Sequence, residues 1–440
     1  MSTAIGAAAV IDSGDTAWML VATSLVLLMT IGLGLFYAGL VRAKNSLNTF
    51  MMCIAALAVA TITWALVGYS LAFDGDAKLV GGLGHALLGG VGFEPRDGTT
   101  IPHLVFFAFQ GTFCIITTAL VSGAVVERMR FGPFLIFAAL WSVLVYAVLA
   151  HWAFGGGWLA AQGTLDFAGG VPVEMASGFA ALAAALVVGA RKDYGRQALL
   201  PHNAVYCLLG AGLLWFGWFG FNGGSGLTTG NSSVLAFTNT LLAPACTLLV
   251  WFLLDMARNR QITAIGAATA IIVGCVGITP AGGFISPVWA MVLGVIVAFP
   301  CYAVVAWRPR TRVDETLDVL AAHGVAGFTG ILLIGLFAQK DWNGVANGLF
   351  YGDAGQLWSQ VVAAIAAPVY AFGMTYGLLK VLGALMPLRG SDHEEAVGMD
   401  IVHHGEEAYA SGEGAILIRD PTREGAARVA DGSAPIPEPA

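Results

Sequence analysis

Eleven long apolar stretches dominate this chain and restrict it to one class of fold. Each is long enough to cross a hydrocarbon core of about 30 Å as a helix. Transmembrane strands would be about ten residues long with alternating polarity, whereas these stretches are about twice that length and apolar throughout. We therefore predict an all-α, polytopic membrane protein. The predicted spans are residues 17–41, 50–73, 103–125, 131–153, 171–190, 203–222, 233–256, 262–279, 286–306, 321–338 and 358–386.

The composition agrees with this class. Of the 440 residues, 58% are hydrophobic and only 11% are charged, whereas soluble domains carry about 25% charged residues. We therefore place the protein in the cell membrane, in contact with lipid. No basic patch indicates a nucleic-acid partner. The six cysteines fall within predicted spans and lack metal-ligand spacing, so we expect packing thiols and no cofactor.

Basic residues are unevenly shared between the two sets of short loops. Twelve follow odd-numbered spans and three lie in the other loops. Lys and Arg favour cytoplasmic loops, so we predict the N-terminus outside and the C-terminus inside. The twelve are Arg42, Lys44, Arg128, Arg130, Arg191, Lys192, Arg196, Arg258, Arg260, Arg308, Arg310 and Arg312, and the three are Lys78, Arg96 and Lys340.

We divide the sequence into four parts. Residues 1–16 form an extracytoplasmic segment, 17–386 the eleven-helix domain, 387–410 a cytoplasmic tail motif and 411–440 a final polar tail. The last part ends in "DGSAPIPEPA", which offers too little apolar surface to fold alone, so we predict that it is disordered.

Two matched pairs of residues indicate an internal repeat. Asp166 precedes Glu174 by eight residues, and Glu315 precedes His323 by eight. Five spans separate the pairs, and an odd separation inverts the topology. Two five-helix halves of opposite direction, with a central site, are a common transporter plan.

Titratable groups inside spans are the main candidates for function. Glu174 and His323 both fall well within predicted spans. A charged side chain in mid-bilayer costs several kcal/mol, so it normally faces a pore and has a partner. Helical rise places Glu174 in the outer half of the membrane and His323 near the middle, which leaves open whether the two side chains touch.

Aromatic side chains cluster beside Gly and Ser at outer span ends. "FAFQGTF" supplies Phe109 and Phe113, "HWAFGGGW" supplies Phe154, and "WFGWFGFNGGSG" supplies Phe221 and Ser225. Most aromatic residues in such stretches serve packing or the lipid interface. Ring faces nevertheless attract a desolvated cation by up to about 2 kcal/mol, and a hydroxyl can accept a hydrogen bond from that cation. Such a site selects a small hydrogen-bonding cation.

An ordered set of motifs resembles the ammonium transporter family, which includes methylammonium permeases and Rhesus proteins. The resemblance implies eleven helices, an inverted five-helix repeat, and a homotrimer with one pore for ammonium or ammonia in each subunit. The motifs are "GDTAWML" (14–20), "LFYAGLVRAKN" (35–45), "FQGTF" (109–113), "ERMRF" (127–131), "LDFAGG" (165–170), "PHN" (201–203), "GWFGFNGGS" (217–225), "GITPAGGFI" (277–285) and "HG" (323–324).

The resemblance also implies roles for individual residues. The outer ammonium site corresponds to Phe113, Ser225 and Phe154, with Phe109 beside it and Asp166 as the adjacent acid. The phenyl gate corresponds to Phe113 and Phe221, and the paired pore histidines to Glu174 and His323. Two departures affect function: Phe154 replaces the usual Trp, and Glu174 replaces the first His, as in some fungal members. Glu315 replaces the usual Asp.

The tail stretch "GMDIVHHGEEAYA" (398–410) resembles the family's cytoplasmic motif. The resemblance implies that it packs under the trimer and assists signal proteins of the PII type. We expect its acids to pair with basic loops on the same face, including those carrying Arg191, Lys192, Arg308, Arg310 and Arg312. A solvated acidic tail is the alternative.

Two other functions remain open. A sensor of the same fold would bind ammonium and transport little, and the departures at Phe154 and Glu174 permit this. "GGSG" (223–226) also matches an intramembrane serine protease pattern, with Ser225 as nucleophile and His323 as base. Ser225 ends its span before polar residues, which disfavours the enzyme, because a nucleophile needs its base within reach.

Overall fold

The computed structural model describes residues 10–409, which form a bundle of eleven long apolar helices. We call the side where α1 begins the N-terminal face and the side where α1 ends the C-terminal face. The helices are α1 (Ser13–Leu40), α2 (46–73), α3 (His103–Ser122), α4 (131–154), α5 (Gly170–Val188), α6 (Ala204–Gly224), α7 (Asn231–Asn259), α8 (Ala264–Ile278), α9 (Pro287–Trp307), α10 (Leu320–Phe337) and α11 (Ala354–Leu385).

The prediction of eleven spans is confirmed, and each helix end lies within four residues of its predicted position. Polar residues start several helices by accepting backbone N–H groups that have no partner within the helix. Asp12 caps α1, Asn203 caps α6 and Thr263 caps α8. The predicted disorder of 411–440 and most of the predicted 1–16 segment fall outside the described residues.

Helices α5 and α10 both begin with a π-helical turn, Gly170–Met175 in α5 and Leu320–Val325 in α10. Such turns widen a helix locally and are frequent at functional sites. Glu174 lies in the first turn and His323 in the second. The two halves of the predicted repeat therefore begin these helices in the same way.

The same two helices cross at glycine residues. A Cβ atom on Gly178 would lie 2.1 Å from the backbone nitrogen of Gly324, and one on Gly327 would lie 2.6 Å from Glu174 Cβ. Gly178 follows Glu174 by four residues, and Gly327 follows His323 by four. The contacts are thus reciprocal, as an inverted repeat requires at its axis.

A buried ionic network joins loops of both halves at the C-terminal face. Arg191 donates to both carboxyl oxygens of Asp314, at 2.8 Å each, and also to Glu127. Arg42 donates to Glu127 at 2.9 Å. Burial alone would raise the pKa of Glu127, but the two guanidinium groups outweigh it and hold that pKa below its ordinary value. Removing one partner of such a network is costly because it leaves a buried charge unpaired.

The chain after α11 docks on this face through two short helices, α12 (Asp392–Val397) and α13 (Met399–His404). The carboxylate of Asp400 accepts the backbone N–H groups of Leu47 and Asn48 at 3.0 and 2.7 Å, and thereby caps the start of α2. His404 Nε2 lies 3.1 Å from the Asn48 side chain, and His202 Nε2 lies 2.9 Å from the Tyr409 hydroxyl.

The basic partners of the tail differ from those we expected. Arg191 binds Glu127 and Asp314, and Arg308 binds Asp318. Neither forms an ion pair with the part of the tail that the structure describes. The tail is instead held to the bundle by two other side chains, Lys44 and Arg130, and by the backbone of Lys192, while Arg389 pairs with Glu395 within the tail. Lys44 donates to Glu395 and Ala396 carbonyls, Arg130 to Glu394 and Arg389 to Glu395, while Lys192 N–H donates to Glu395.

Candidate functional site

The centre of the site is the contact between Glu174 and His323. Glu174 Oε2 lies 2.8 Å from His323 Nδ1, and the two residues are 0% and 4% exposed. Glu174 Oε1 is buried and has no protein partner within residues 10–409. The glycine crossing brings the two backbones close enough for this bond. One oxygen of Glu174 is thus fixed by the imidazole, while the other can accept a proton.

A narrow cavity lies against this pair. Only about 10 Å³ is free for the centre of a water-sized molecule, which is about the least space that one water needs. Apart from Glu174 and His323, the lining is almost entirely apolar, and it includes Trp218, Phe221, Ile116 and Leu214. Desolvation of an ion here would be poorly compensated, so the cavity favours a small neutral molecule.

Two stacked phenyl rings close the site toward the N-terminal face. The rings of Phe113 and Phe221 have centroids 4.0 Å apart at an interplanar angle of 24°. Phe109 packs edge-on against Phe113, with centroids 4.9 Å apart. All three rings are buried. Because the stack leaves no gap for a hydrated ion, anything that passes must displace a ring and shed its water.

Asp166 fixes the backbone at the start of α5. Its Oδ1 accepts the N–H groups of Gly169 and Gly170 at 2.9 and 2.7 Å, and its Oδ2 accepts that of Val171 at 2.7 Å. Gly169 has a φ of 117°, which side chains other than glycine rarely adopt. Burial raises the pKa of Asp166 to about 6, although the three N–H groups act in the opposite direction. Asp166 thus acts on Glu174 through the backbone.

Ser225 and Phe154 lie at the ends of α6 and α4, on the N-terminal face. The Ser225 hydroxyl donates to the Phe221 carbonyl at 2.8 Å, so its lone pairs remain free to accept. Both residues are half-buried. Phe154 stacks on no other ring in the part of the chain that the structure describes. The structure therefore brings together Phe109, Phe113 and Phe221, with Ser225 one helical turn from Phe221, and it gives Phe154 no ring partner among the described residues.

Comparison with known proteins settles the family. The model of the Ammonium Transporter Family matches residues 17–409. This chain belongs to the ammonium transporter family. An "Ammonium transporter" of Bacillus subtilis (strain 168) is 46% identical over 399 residues, which is 90% of this chain and 98% of that protein.

Solved structures agree with this membership. The crystal structure of Candida albicans Mep2 superposes with a TM-score of 0.83 at 35% identity, and the match covers 87% of this chain and 88% of that one. A structure described as "Sensor Amt Protein" superposes with a TM-score of 0.82 at 28% identity, covering 89% and 98% of the two chains.

This ammonium transporter family member is a multi-pass protein of the cell membrane, and it is not an enzyme. The protease alternative is therefore wrong, and the geometry gives the reason. The Ser225 hydroxyl is bonded to the backbone, and His323 Nδ1 is bonded to Glu174. Neither group makes the Ser–His contact that an activated nucleophile needs.

Several residues of this family member's site were missed by the sequence reasoning. Trp218 lines the cavity and donates its indole N–H to Thr279 at 2.8 Å, but a tryptophan in an apolar stretch does not reveal which way it faces. Gly178 and Gly327 did leave a signal. Each follows a buried titratable residue by four positions, which is the spacing of one helix face.

Proposed function

We propose that this chain transports ammonium across the cell membrane by separating it into ammonia and a proton. The observation that carries the proposal is the buried Glu174–His323 bond, which lies beside a narrow apolar cavity under stacked phenyl rings. An apolar passage favours ammonia, and a hydrogen-bonded acid–imidazole pair is suited to a proton.

Ammonium binds first at the N-terminal face. The faces of Phe113 and Phe154 attract the cation, the Ser225 hydroxyl accepts a hydrogen bond from it, and Phe109 supports Phe113. Asp166 contributes negative charge near the site and holds the start of α5 in place through its three bonds to backbone N–H groups. Because Phe replaces Trp at position 154, this site binds more weakly than the usual family arrangement.

One ammonium N–H bond then breaks at the outer site, and the proton travels separately from ammonia to the carboxylate of Glu174, where an O–H bond forms. The free oxygen, Oε1, is the acceptor, because Oε2 is bonded to His323. Neutral ammonia passes Phe113 and Phe221 as the rings rotate, while the proton continues through His323.

Sidedness and assembly complete the proposal. The N-terminal face points outward and the C-terminal face toward the cytoplasm, as the excess of basic residues on the latter favours. Three copies form a homotrimer with one pathway in each. The docked tail, with Asp400 capping α2, forms the platform where a PII-type protein binds.

Current recording on the reconstituted full-length protein tests this function. We expect an inward proton-coupled current when ammonium is applied and none with sodium or potassium. Ammonium binding without current in the parent protein would favour a sensor, a function suggested by the similarity to the "Sensor Amt Protein". The double variant Glu174→Ala/His323→Ala serves as the inactive control.

A further inference from the structure

Glu315 occupies the position in the second half that Asp166 occupies in the first. Each precedes a member of the central pair by eight residues, and each accepts a backbone N–H at the start of the helix that follows. Asp166 uses both oxygens on three N–H groups. Glu315 uses Oε2 on a single one, that of Leu320 at 3.2 Å. The two acids therefore occupy equivalent positions in the two halves, but the carboxylate of Asp166 accepts more hydrogen bonds than that of Glu315.

The second oxygen of Glu315 is buried and unpartnered within residues 10–409, although the residue is only 1% exposed. A buried carboxyl oxygen without a donor costs about 1–3 kcal/mol, so a role limited to capping does not account for it. The extra methylene that Glu has over Asp carries the carboxyl beyond the backbone N–H groups. Oε2 caps the helix by accepting the N–H of Leu320, which leaves Oε1 available to bind a proton.

Glu315 also lines a second cavity, of about 130 Å³, near the C-terminal face. Trp307 and Arg308 lie in its wall, and Trp307 is 60% exposed. On the measure used for the first cavity, where about 10–15 Å³ holds one water, this space is large enough for several waters. Leu320, whose N–H binds Glu315, precedes His323 by three residues, or about 5 Å of helical rise. Glu315 thus lies in the segment that leads into α10, eight residues before His323, and beside a cavity near the C-terminal face.

We propose that Glu315 is a third proton-carrying residue, which receives the proton from the Glu174–His323 pair and releases it into the cavity at the C-terminal face. This inference rests on the proposed transport function. In the transfer an imidazolium N–H bond breaks, intervening water carries the proton, and an O–H bond forms on Glu315 Oε1. The O–H bond then breaks as the proton passes to solvent, and Glu315 returns to its carboxylate form.

The charged surroundings are compatible with such a cycle. Burial raises the pKa of Glu315 to about 7, Asp318 acts in the same direction, and Arg308 acts against both. Arg308 is itself paired with Asp318 at 2.5 Å. The hydroxyls of Tyr37 from α1 and Tyr194 from the loop after α5 also interact electrostatically with this cluster, and the guanidinium of Arg128 donates to the neighbouring Thr316 at 2.7 Å. Both forms of Glu315 are thus populated near neutral pH.

The test replaces Glu315 by Gln and by Asp in the full-length reconstituted protein. Gln keeps an oxygen for the Leu320 N–H but carries no exchangeable acid. We expect Glu315→Gln to lower the ammonium-evoked current by about 100-fold, at the lower end of what a positioned proton acceptor contributes. The half-saturating ammonium concentration should not change. Glu315→Asp should restore most of the current.

The pH dependence provides a second readout. In the parent, current should fall as the pH on the C-terminal side drops through about 7, because protonated Glu315 cannot accept another proton. Asp318→Asn removes a neighbouring negative charge and lowers the pKa of Glu315, so the inflection should move to lower pH. Asp353→Asn, which changes an exposed cap of α11 on the other face, is the matched control and should leave the profile unchanged.

Two results would overturn the inference. Parent-like current and pH profile in Glu315→Gln would show that no proton passes through this residue. Equal loss in the Gln and Asp variants, with lowered thermal stability in both, would assign Glu315 a purely structural role. Absence of current in the parent would instead contradict the proposed function itself, so the two failures are distinguishable.

Discussion

The crossing of α5 and α10 permits a sharp prediction, because a single methyl group can separate the central pair. In Gly178→Ala the added Cβ would lie 2.1 Å from Gly324 N and 2.3 Å from Gly324 Cα. Ordinary contact begins at 3.4 Å, and these neighbours are backbone atoms that cannot rotate away. The helices must therefore separate by roughly 1 Å, which stretches the 2.8 Å Glu174–His323 contact beyond hydrogen-bonding distance.

Two effects should follow from Gly178→Ala. Overpacking of this kind costs about 1–3 kcal/mol of stability, and loss of the bond should abolish the ammonium-evoked current. Thermal unfolding in detergent and current recording in proteoliposomes measure the two effects. The control is Gly373→Ala in α11, whose added Cβ meets nothing within 4 Å. Parent-like current and stability in Gly178→Ala would refute the argument that the crossing fixes the pair.

Four further predictions use the same assays. Glu174→Ala and His323→Ala should each abolish the current because each breaks the proton path. Glu174→His should keep function with a shifted pH profile. Normal current in both Ala variants would remove the pair from the mechanism. Asp166→Ala leaves three backbone N–H groups without an acceptor, which costs about 1–3 kcal/mol of stability for each group, and it should inactivate transport. Transport at the rate of the parent protein would contradict the role assigned to Asp166. Phe154→Trp should lower the half-saturating ammonium concentration through a cation–π gain of about 0.5–1 kcal/mol; an unchanged value would show that the ring does not face the cation. Truncation after Met386 should reduce the current by removing the docked tail, and truncation at residue 410 should not; equal currents would mean that the tail does not support the pore.

The positions of the helices could be predicted because hydropathy reports contact with lipid. Their ends were less accurate where tertiary contacts decide them. Helix α2 begins at Ser46, four residues before its predicted start, and the N–H groups of Leu47 and Asn48 bind Asp400 from the tail. A cap supplied from more than 350 positions away leaves no mark in the local sequence.

The residues of the central site could be predicted from the sequence, but their contact could not. The eight-residue spacing of Asp166 and Glu174, repeated in Glu315 and His323, pointed to the inverted repeat and to both central side chains. Depth along a regular helix could not show that they touch. Each lies in a π-helical turn at the start of its helix, and the close approach depends on glycines whose partners are distant in sequence.

The ionic network at the C-terminal face has a consequence for how the protein is made. Asp314, which takes two bonds from Arg191, follows it by 123 residues. At about 5–20 residues per second, the ribosome needs on the order of ten seconds to deliver it. Helices α6 to α9 are synthesised during that interval, while the loops of the first five helices lack this partner. Biogenesis therefore passes through a stage at which nine helices have been made and the network is still open, and a chain that stops before residue 314 leaves Arg191 without Asp314.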